Sequence, residues 1–272
     1  MSIKLVAIDV DGTLLNSRKE LTASVKETIQ QAKKQGVKIV ICTGRPLNGV
    51  KALLKQLSLD NQSDQFVISF GGAMIQKTNG EILSEQPISY DSYLRLELLA
   101  RQKQLHFHAI SHDRIYTADR DIGHYTVYES LITKLEIFYR TPAELRQTKL
   151  IKAMFIDDPQ RLAQAMIDWK PFSHLEDQVT FTKSSPFYLE ANAKNVSKGQ
   201  ALQFLAQQLQ LTKNEIMAVG DEGNDLSMII YAGLGVAMGN AITEVKAAAD
   251  WQTADNDHDG VAVALSKYVI NN

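Results

Sequence analysis

Cysteine is nearly absent from the sequence. Cys42 is the single cysteine among 272 residues, so no disulfide can form within the chain, and the pattern is not that of a disulfide-stabilised secreted domain. One lone cysteine is typical of a protein from a reducing compartment, and we expect a cytoplasmic location. Asp9 falls where the apolar segment of a signal peptide would continue, which favours the same location.

Long apolar runs and an excess of one charge are also missing. No stretch approaches the roughly 18 uninterrupted apolar residues of a membrane-spanning helix, so we expect no membrane partner. Lysine and arginine total 29 against 31 for aspartate and glutamate, which gives a formal net charge of −2, and no basic run stands out. Because proteins that bind the nucleic-acid backbone carry basic patches, we expect no nucleic-acid partner either.

Apolar runs alternate with helical patterns at the start of the chain. Residues 4–10 and 37–41 are patterned as buried strands, and apolar residues recur at helical spacing over 22–35 and after Pro46. Strand, helix, strand and helix in this order predict neighbouring parallel strands. With a composition that is 44% hydrophobic and 22% charged, the chain is predicted to be a globular α/β protein with a doubly wound parallel sheet.

The pattern changes after a strand at 66–69. Residues 73–84 are patterned as a hairpin, and helices and strands then alternate up to Ser185 in a way that predicts an antiparallel sheet covered by helices. The first pattern returns beyond Ser185, beginning with a strand at 188–191. We therefore predict a core formed by residues 1–84 and 186–272, with an α+β domain inserted at 85–185.

Acidic side chains follow two of the predicted core strands. In a doubly wound sheet, ligands bind beyond the carboxyl ends of the strands. Clustered carboxylates there would repel one another unless a cation lies between them, and Mg²⁺ prefers such oxygen ligands. Each aspartate alone could be a turn or helix-cap residue, but together they predict a Mg²⁺ site. They are Asp9, Asp11, Asp221 and Asp225.

Potential phosphate-binding groups follow other strand ends. Thr43 offers a hydroxyl, Gly44 a closely approached backbone N–H, and Lys198 a positive charge at a predicted helix start. Taken singly, Thr43 and Asn224 could be turn residues and Lys198 a solvated helix lysine. Their shared position at strand ends favours a phosphoryl-binding site instead.

The motifs together resemble those of the haloacid dehalogenase-like hydrolases, and within them the Cof-type phosphatases and the YidA-like sugar-phosphate phosphatases. The order of the motifs is more specific than any one of them. The segments that carry the resemblance are Asp-Val-Asp-Gly-Thr-Leu-Leu at 9–15, Thr-Gly-Arg at 43–45, Val-Ser-Lys-Gly at 196–199, Gly-Asp-Glu-Gly-Asn-Asp at 220–225 and Asp-Gly-Val-Ala at 259–262.

The resemblance implies a Rossmann-like core with an inserted cap domain of the C2 type that closes over the site. It implies that Asp9 is the nucleophile that forms an aspartyl-phosphate and that Asp11 is the general acid and base. Mg²⁺ would be held by Asp9, the Asp11 backbone carbonyl and Asp221. The phosphoryl oxygens would be contacted by Thr43, Gly44, Lys198 and Asn224, with Asp225 orienting Lys198 or a metal-bound water.

Two positions depart from the family pattern. Gly71 stands where relatives commonly have asparagine, which leaves any contact of that asparagine open. Asn195 stands where glycine is frequent, and asparagine tolerates the left-handed conformation, so we expect little change there. We expect Cys42 to be a buried residue rather than a thiol nucleophile, and His106, His108 and His112 not to form a metal site.

The expected function is therefore hydrolysis of small phosphorylated metabolites by a Mg²⁺-dependent phosphatase, with sugar phosphates as the leading substrates. Pyridoxal phosphate or flavin mononucleotide is an alternative substrate, and transfer of phosphate to a second sugar is an alternative reaction. A regulatory protein that binds a phosphorylated ligand without turnover is the alternative outside the enzymes. The motifs do not specify the substrate or the oligomeric state.

Overall fold

The computed structural model describes residues 2–270, which divide into two compact units. The first, here called the core unit, comprises Met1–Ser84 and Ser197–Asn272, and the second, the inserted unit, comprises Glu85–Val196. Each unit has its own hydrophobic cluster, centred on a β-sheet. The chain therefore leaves the core unit once and returns to it once.

Residues 2–270 form fourteen strands and ten α-helices. The strands are β1 (Leu5–Asp9), β2 (Lys38–Cys42), β3 (Phe66–Ser69), β4 (Met74–Lys77), β5 (Ile82–Glu85), β6 (Phe107–Ile110), β7 (Arg114–Thr117), β8 (Glu136–Tyr139), β9 (Lys152–Ile156), β10 (Val179–Ser185), β11 (Tyr188–Ala193), β12 (Ile216–Gly220), β13 (Leu234–Ala237) and β14 (Trp251–Gln252). The α-helices are α1 (Ala23–Lys34), α2 (Leu47–Gln56), α3 (Tyr90–Lys103), α4 (His124–Thr133), α5 (Pro159–Ile167), α6 (Lys170–Ser173), α7 (Lys198–Gln208), α8 (Leu226–Tyr231), α9 (Thr243–Ala248) and α10 (Gly260–Leu265).

The core unit contains an eight-stranded sheet in the order β14-β13-β12-β1-β2-β3-β4-β5. Strands from β14 to β3 are parallel, and β4 turns back antiparallel to β3. Successive strands run outward from β1 on one side, and the chain later returns to build the other side. The predicted doubly wound α/β fold is therefore confirmed, and β1 lies at the point where the strand order reverses.

Local sequence signals account for the first strand and helices of the core unit. Thr22 caps α1, its hydroxyl accepting a hydrogen bond from the Val25 N–H, and Gly36 follows the helix with φ +85°. Pro46 directly precedes α2, where its missing N–H costs nothing. Strand β1 is buried along its whole length, as a parallel strand covered on both faces should be.

The inserted unit contains a six-stranded sheet in the order β10-β11-β9-β6-β7-β8. Four neighbouring pairs are antiparallel, as expected, but β7 and β8 are parallel. The reason is that α4 connects them, and a strand–helix–strand crossover brings the second strand back in the same direction. The expectation of an antiparallel sheet was therefore wrong at this pair.

One strand was placed in the wrong unit from its sequence. Residues 188–191 were expected to open the second core segment, but β11 pairs with β9 and β10 in the sheet of the inserted unit. The core unit resumes only at Ser197, just before α7, rather than at 186. The local pattern of residues 188–191 predicts a strand, but it does not specify the strands with which that strand pairs.

No helix within residues 2–270 has both the length and the apolar composition needed to cross a membrane.

Candidate active site

Three polar residues lie side by side at the carboxyl edge of the core sheet. Asp9 is the last residue of β1 and pairs in register with Cys42, the last residue of β2. Thr43 therefore lies just beyond the end of the neighbouring strand. On the other side, Ile8 pairs with Val219, and β12 ends at Gly220, immediately before Asp221. Parallel pairing therefore brings together residues that are more than two hundred positions apart in the chain.

Lys198 is the buried cation of this site. It is the first residue of α7, whose N-cap Ser197 accepts a hydrogen bond from the Gln200 N–H. Its Nζ lies 2.5 Å from Asp9 Oδ1 and 2.6 Å from Asp225 Oδ1, and its side chain is completely buried. Burial favours the neutral amine, but the adjacent carboxylates outweigh it and raise the pKa of Lys198. Lys198 is therefore an ammonium ion shared by two carboxylates.

Asp225 uses both carboxylate oxygens to hold its surroundings. Oδ1 accepts from Lys198, and Oδ2 accepts from the backbone N–H groups of Asp221 and Glu222, each at 3.0 Å. These contacts fix the loop after β12 to the start of α7. With its oxygens engaged in this way, Asp225 is suited to orienting Lys198 and Asp221.

Asp9 and Asp221 are less well compensated. Burial and then the Asp225 charge raise the pKa of Asp9, despite the opposing effect of Lys198. Burial also raises the pKa of Asp221 to about 6, although its Oδ1 accepts a 2.6 Å hydrogen bond from the Thr13 hydroxyl. Among residues 2–270, no donor contacts Asp9 Oδ2. Both carboxylates therefore remain short of positive charge.

This donor set fits a divalent cation. One oxygen each from Asp9, Asp221 and Asp225 lies within 4.8 Å of the others, and this is the only such group of potential metal ligands in the described part of the chain. Three carboxylates around a single ammonium leave about two negative charges to be balanced, and all the ligand atoms are hard oxygens. A metal ion would thus supply the positive charge that these buried carboxylates lack.

Asp11 points to a different pair of partners. Arg45 donates to both of its oxygens, at 2.9 Å from Nε and 2.6 Å from an Nη, and Lys19 Nζ donates at 3.0 Å. Partial burial acts to raise the pKa of Asp11, but Arg45 and Lys19 outweigh it, and the pKa lies below its usual value. In this arrangement Asp11 is an ionised carboxylate held by two cations.

The other predicted phosphate-binding residues differ in their surroundings. Thr43 is buried, and its hydroxyl oxygen accepts the Arg45 N–H at 3.1 Å. Gly44 is half-buried, with open space where a Cβ would stand. Asn224 is exposed and makes no hydrogen bond with any described residue. The structure thus joins Asp9, Lys198, Asp221 and Asp225 directly, places Thr43 and Gly44 at the same edge, and leaves Asn224 on the loop rim.

Comparison with known proteins identifies the family of this chain. A family model described as haloacid dehalogenase-like hydrolase matches residues 6–265. The chain belongs to the haloacid dehalogenase-like hydrolases. Within that superfamily it is a Cof-type phosphatase, as the motifs indicated.

Individual relatives extend along the whole chain. A candidate phosphatase of Streptococcus pyogenes is 45% identical over 272 residues, covering 100% of each chain. The Bacillus subtilis 5-amino-6-(5-phospho-D-ribitylamino)uracil phosphatase YcsE is 31% identical over 271 residues, covering 99% of this chain and 97% of that protein. A crystal structure of a haloacid dehalogenase-like hydrolase from Bacteroides thetaiotaomicron superposes with a TM-score of 0.87 at 31% identity, covering 98% of this chain and 99% of that one.

The contacts of four residues in this haloacid dehalogenase-like hydrolase were not predicted from sequence. Thr13 and Asn240 both donate to Asp221, the latter at 3.3 Å and also to the Gly12 carbonyl at 2.8 Å. Arg45 and Lys19 hold Asp11. Thr13 and Arg45 lie within the recognised motifs, so motif membership was an available signal for them, whereas nothing in the sequence around Lys19 indicates its contact.

The remaining expectations concern residues beside the motifs of the hydrolase. Gly71 has φ +68° with nothing near its Cβ position, and Asn195 has φ +66°, so asparagine does adopt the left-handed conformation there. Cys42 is buried, and burial raises the pKa of its thiol far above the range of a reactive thiolate. No histidine joins a candidate metal cluster among residues 2–270.

Proposed function

We propose that this hydrolase is a Mg²⁺-dependent phosphatase of small phosphorylated metabolites that forms an aspartyl-phosphate on Asp9. The observation that carries the proposal is the buried Lys198 held between Asp9 and Asp225, with Asp221 within metal-sharing distance of both. An anionic carboxylate can approach an anionic phosphate only where positive charge offsets their repulsion. Lys198 supplies one such charge at the nucleophile itself.

Each side chain has a definite part in the proposed reaction. Asp9 attacks phosphorus through the oxygen that is not bonded to Lys198, while Lys198, Thr43, Gly44 and Asn224 hold the phosphoryl oxygens. Asp9, Asp221 and the Asp11 backbone carbonyl would hold Mg²⁺, which would neutralise the phosphate charge and fix its orientation. Asp225 keeps Lys198 charged and in place.

Asp11 acts in both halves of the reaction. It protonates the leaving oxygen when the ester bond breaks, and it then takes a proton from the water that hydrolyses the aspartyl-phosphate. The contacts with Arg45 and Lys19 favour its ionised form, which suits the second half. For the first half we propose that the carboxyl group leaves these two cations and collects a proton when substrate binds.

Asp11→Asn should therefore distinguish leaving groups. We expect kcat/KM for a sugar phosphate to fall by about 10²–10⁴-fold, because an alkoxide must be protonated as it leaves. For p-nitrophenyl phosphate, whose leaving group is stable as an anion, we expect a much smaller fall. Steady-state kinetics with the two substrates measures the difference, and equal losses on both would contradict the acid assignment.

The substrate class rests on weaker support than the chemistry. The relative named a phosphoribitylaminouracil phosphatase carries a phosphorylated polyol in its substrate name, which favours a sugar or polyol phosphate for this chain as well. Pyridoxal phosphate and flavin mononucleotide remain the alternative substrates, and a second sugar the alternative phosphate acceptor. We also propose a cytoplasmic location, where such metabolites occur.

Hydrolysis of p-nitrophenyl phosphate tests the proposal as a whole. We expect release of p-nitrophenol that requires Mg²⁺, stops on addition of EDTA and returns with excess Mg²⁺. A rate unchanged by chelation would contradict the metal assignment. Binding of phosphate esters without any turnover would favour the phospholigand-binding regulator instead.

A further inference from the structure

Asn240 contacts two segments of the candidate metal site although it offers no carboxylate of its own. It lies in the loop after β13, and its amide nitrogen donates to the Gly12 carbonyl at 2.8 Å and to Asp221 Oδ2 at 3.3 Å. Asp221 is one of the proposed Mg²⁺ ligands, and the Gly12 carbonyl follows directly on the Asp11 carbonyl, which is another. One amide group therefore joins both strand-end loops that would hold the ion.

The Asp221 carboxylate is held at both of its oxygens. Oδ1 accepts a 2.6 Å hydrogen bond from the Thr13 hydroxyl, and Oδ2 accepts from Asn240. Gly12, with φ +87°, lies so close to Oδ2 that a Cβ at this position would clash with that oxygen. A carboxylate can accept about four hydrogen bonds, so lone pairs remain for a metal ion. The protein thus orients this carboxylate by contacts that leave room for coordination.

The orientation of the Asn240 amide is fixed in turn by Asn256. Asn240 Oδ1 accepts from the Asn256 backbone N–H at 3.0 Å, and the Asn256 side chain donates to the Leu15 carbonyl at 2.9 Å. An amide oxygen can only accept and an amide nitrogen can only donate. A reversed amide would set nitrogen against the N–H and oxygen against two acceptors. Only one orientation satisfies all three partners, and it directs the donors at Gly12 and Asp221.

A neighbouring contact joins the same parts of the chain without touching a proposed ligand. Asp257 Oδ1 accepts from the Ser17 backbone N–H at 2.9 Å, which ties the turn after Asn256 to the segment after β1. This contact anchors the turn but does not involve Asp221. Anchoring of the turn is therefore separable from the contact that Asn240 makes with the carboxylate.

The chemistry of an amide suits a group that holds a metal ligand. Mg²⁺ requires nearly octahedral geometry, so a ligand carboxylate that can rotate binds it less well. Groups that hold metal ligands in place typically contribute about 10–100-fold to metal affinity. A neutral amide donor fixes the carboxylate without adding a positive charge that would repel the ion, as lysine or arginine would.

We propose that Asn240 is a positioning residue of the metal site, which orients the Asp221 carboxylate for Mg²⁺, and that Asn256 fixes the orientation of Asn240. This role rests on the proposed function, since Mg²⁺ is the ion that Asp221 would hold there.

Calorimetric titration of the full chain with Mg²⁺, in the absence of substrate, tests the role of Asn240. In Asn240→Ala we expect the Kd for Mg²⁺ to rise about tenfold or more, because the Asp221 carboxylate loses the donor at Oδ2. Asn240 is exposed, so its replacement opens no cavity. A melting curve of the metal-free variant should therefore match that of the metal-free wild type.

Asp257→Ala is the matched control. Asp257 is also exposed, and its replacement removes a hydrogen bond between the same turn and the same segment while the contacts of Asn240 remain. We expect this variant to bind Mg²⁺ as the wild type does. Asn256→Ala keeps the backbone N–H that Asn240 accepts but loses the anchor on Leu15, so its Mg²⁺ affinity should lie between those of the wild type and Asn240→Ala.

Hydrolysis of p-nitrophenyl phosphate at varied Mg²⁺ concentration gives a second measure. In Asn240→Ala the Mg²⁺ concentration for half-maximal rate should rise by a factor similar to that of the Kd, whereas kcat at saturating Mg²⁺ should fall by much less. A loss of kcat that saturating Mg²⁺ does not restore, with the Kd unchanged, would contradict a role in positioning the metal ligand.

The outcomes separate this role from the proposed function. A wild type that neither binds Mg²⁺ nor requires it for hydrolysis would overturn the proposed function. If the wild type binds Mg²⁺, the role of Asn240 is overturned when folded Asn240→Ala binds it as tightly, or when Asp257→Ala loses as much affinity. Wild-type affinity in Asn256→Ala would overturn the part assigned to Asn256.

Discussion

Asp9→Asn is expected to lower kcat for phosphomonoester hydrolysis on the order of 10⁴-fold or more while leaving the fold intact. An asparagine amide oxygen can still accept the hydrogen bond from Lys198, which lies 2.5 Å from Asp9 Oδ1, so the buried contact survives. The neutral amide, however, is a very weak nucleophile toward phosphorus. The structure therefore separates the chemical role of Asp9 from its structural one.

Steady-state kinetics on p-nitrophenyl phosphate and a melting curve followed by circular dichroism measure the two effects. Asp177→Asn is the matched control, since Asp177 is exposed and outside the site, and it should leave kcat unchanged. Substantial turnover by a pure, folded Asp9→Asn protein would mean that another group is the nucleophile.

Lys198→Met is expected to remove activity and also to destabilise the protein by about 3–5 kcal/mol, because breaking a buried ion pair leaves its partners uncompensated. Without the ammonium, the Asp9 and Asp225 carboxylates face each other in a buried site. In the folded variant, this repulsion should raise the pKa of Asp9 above its value in the unfolded chain. The folded variant binds more protons than the unfolded chain, so its stability falls as the pH rises.

Denaturation of the variant at about pH 5 and about pH 8 measures this dependence, and the loss relative to wild type should be smaller at the lower pH. Mg²⁺ should restore part of the stability, since it binds the folded carboxylates. Lys77→Met, which removes an exposed pair with Glu81, is the control and should cost no more than about 1 kcal/mol. A loss that is equal at both pH values would contradict the account of Lys198 as a charge-balancing residue.

The parts of the site that could be predicted from sequence are those carried by short motifs at strand ends. Asp9 ends β1, Asp221 follows β12 and Lys198 begins α7, and the apolar or helical pattern of each element is clear in the sequence. Parallel pairing of β1 with its neighbours then brings the strand ends together. Because parallel pairing brings these distant residues together, the local sequence pattern was sufficient to predict that they meet. The orienting contact of Asp225 with Lys198 follows from the same convergence.

Other features depend on information that the local pattern does not contain. The sequence of β11 predicts a strand but does not specify the sheet that it joins, and its assignment to the core unit was wrong. The parallel pairing of β7 and β8 follows from the intervening α4, a signal that was present but was not used. Lys19 reaches Asp11 from a turn in which its own backbone is left-handed, with φ +61°, and such side-chain directions are set by tertiary geometry.

The central claim is that phosphorus becomes covalently bound to Asp9 during turnover. Rapid quenching of the working enzyme, borohydride reduction of any acyl-phosphate and peptide mass spectrometry test it directly. The account predicts homoserine in place of Asp9 in the wild-type peptide, present only when substrate and Mg²⁺ were both supplied. Steady turnover with Asp9 unmodified, or reduction at a different aspartate, would contradict it.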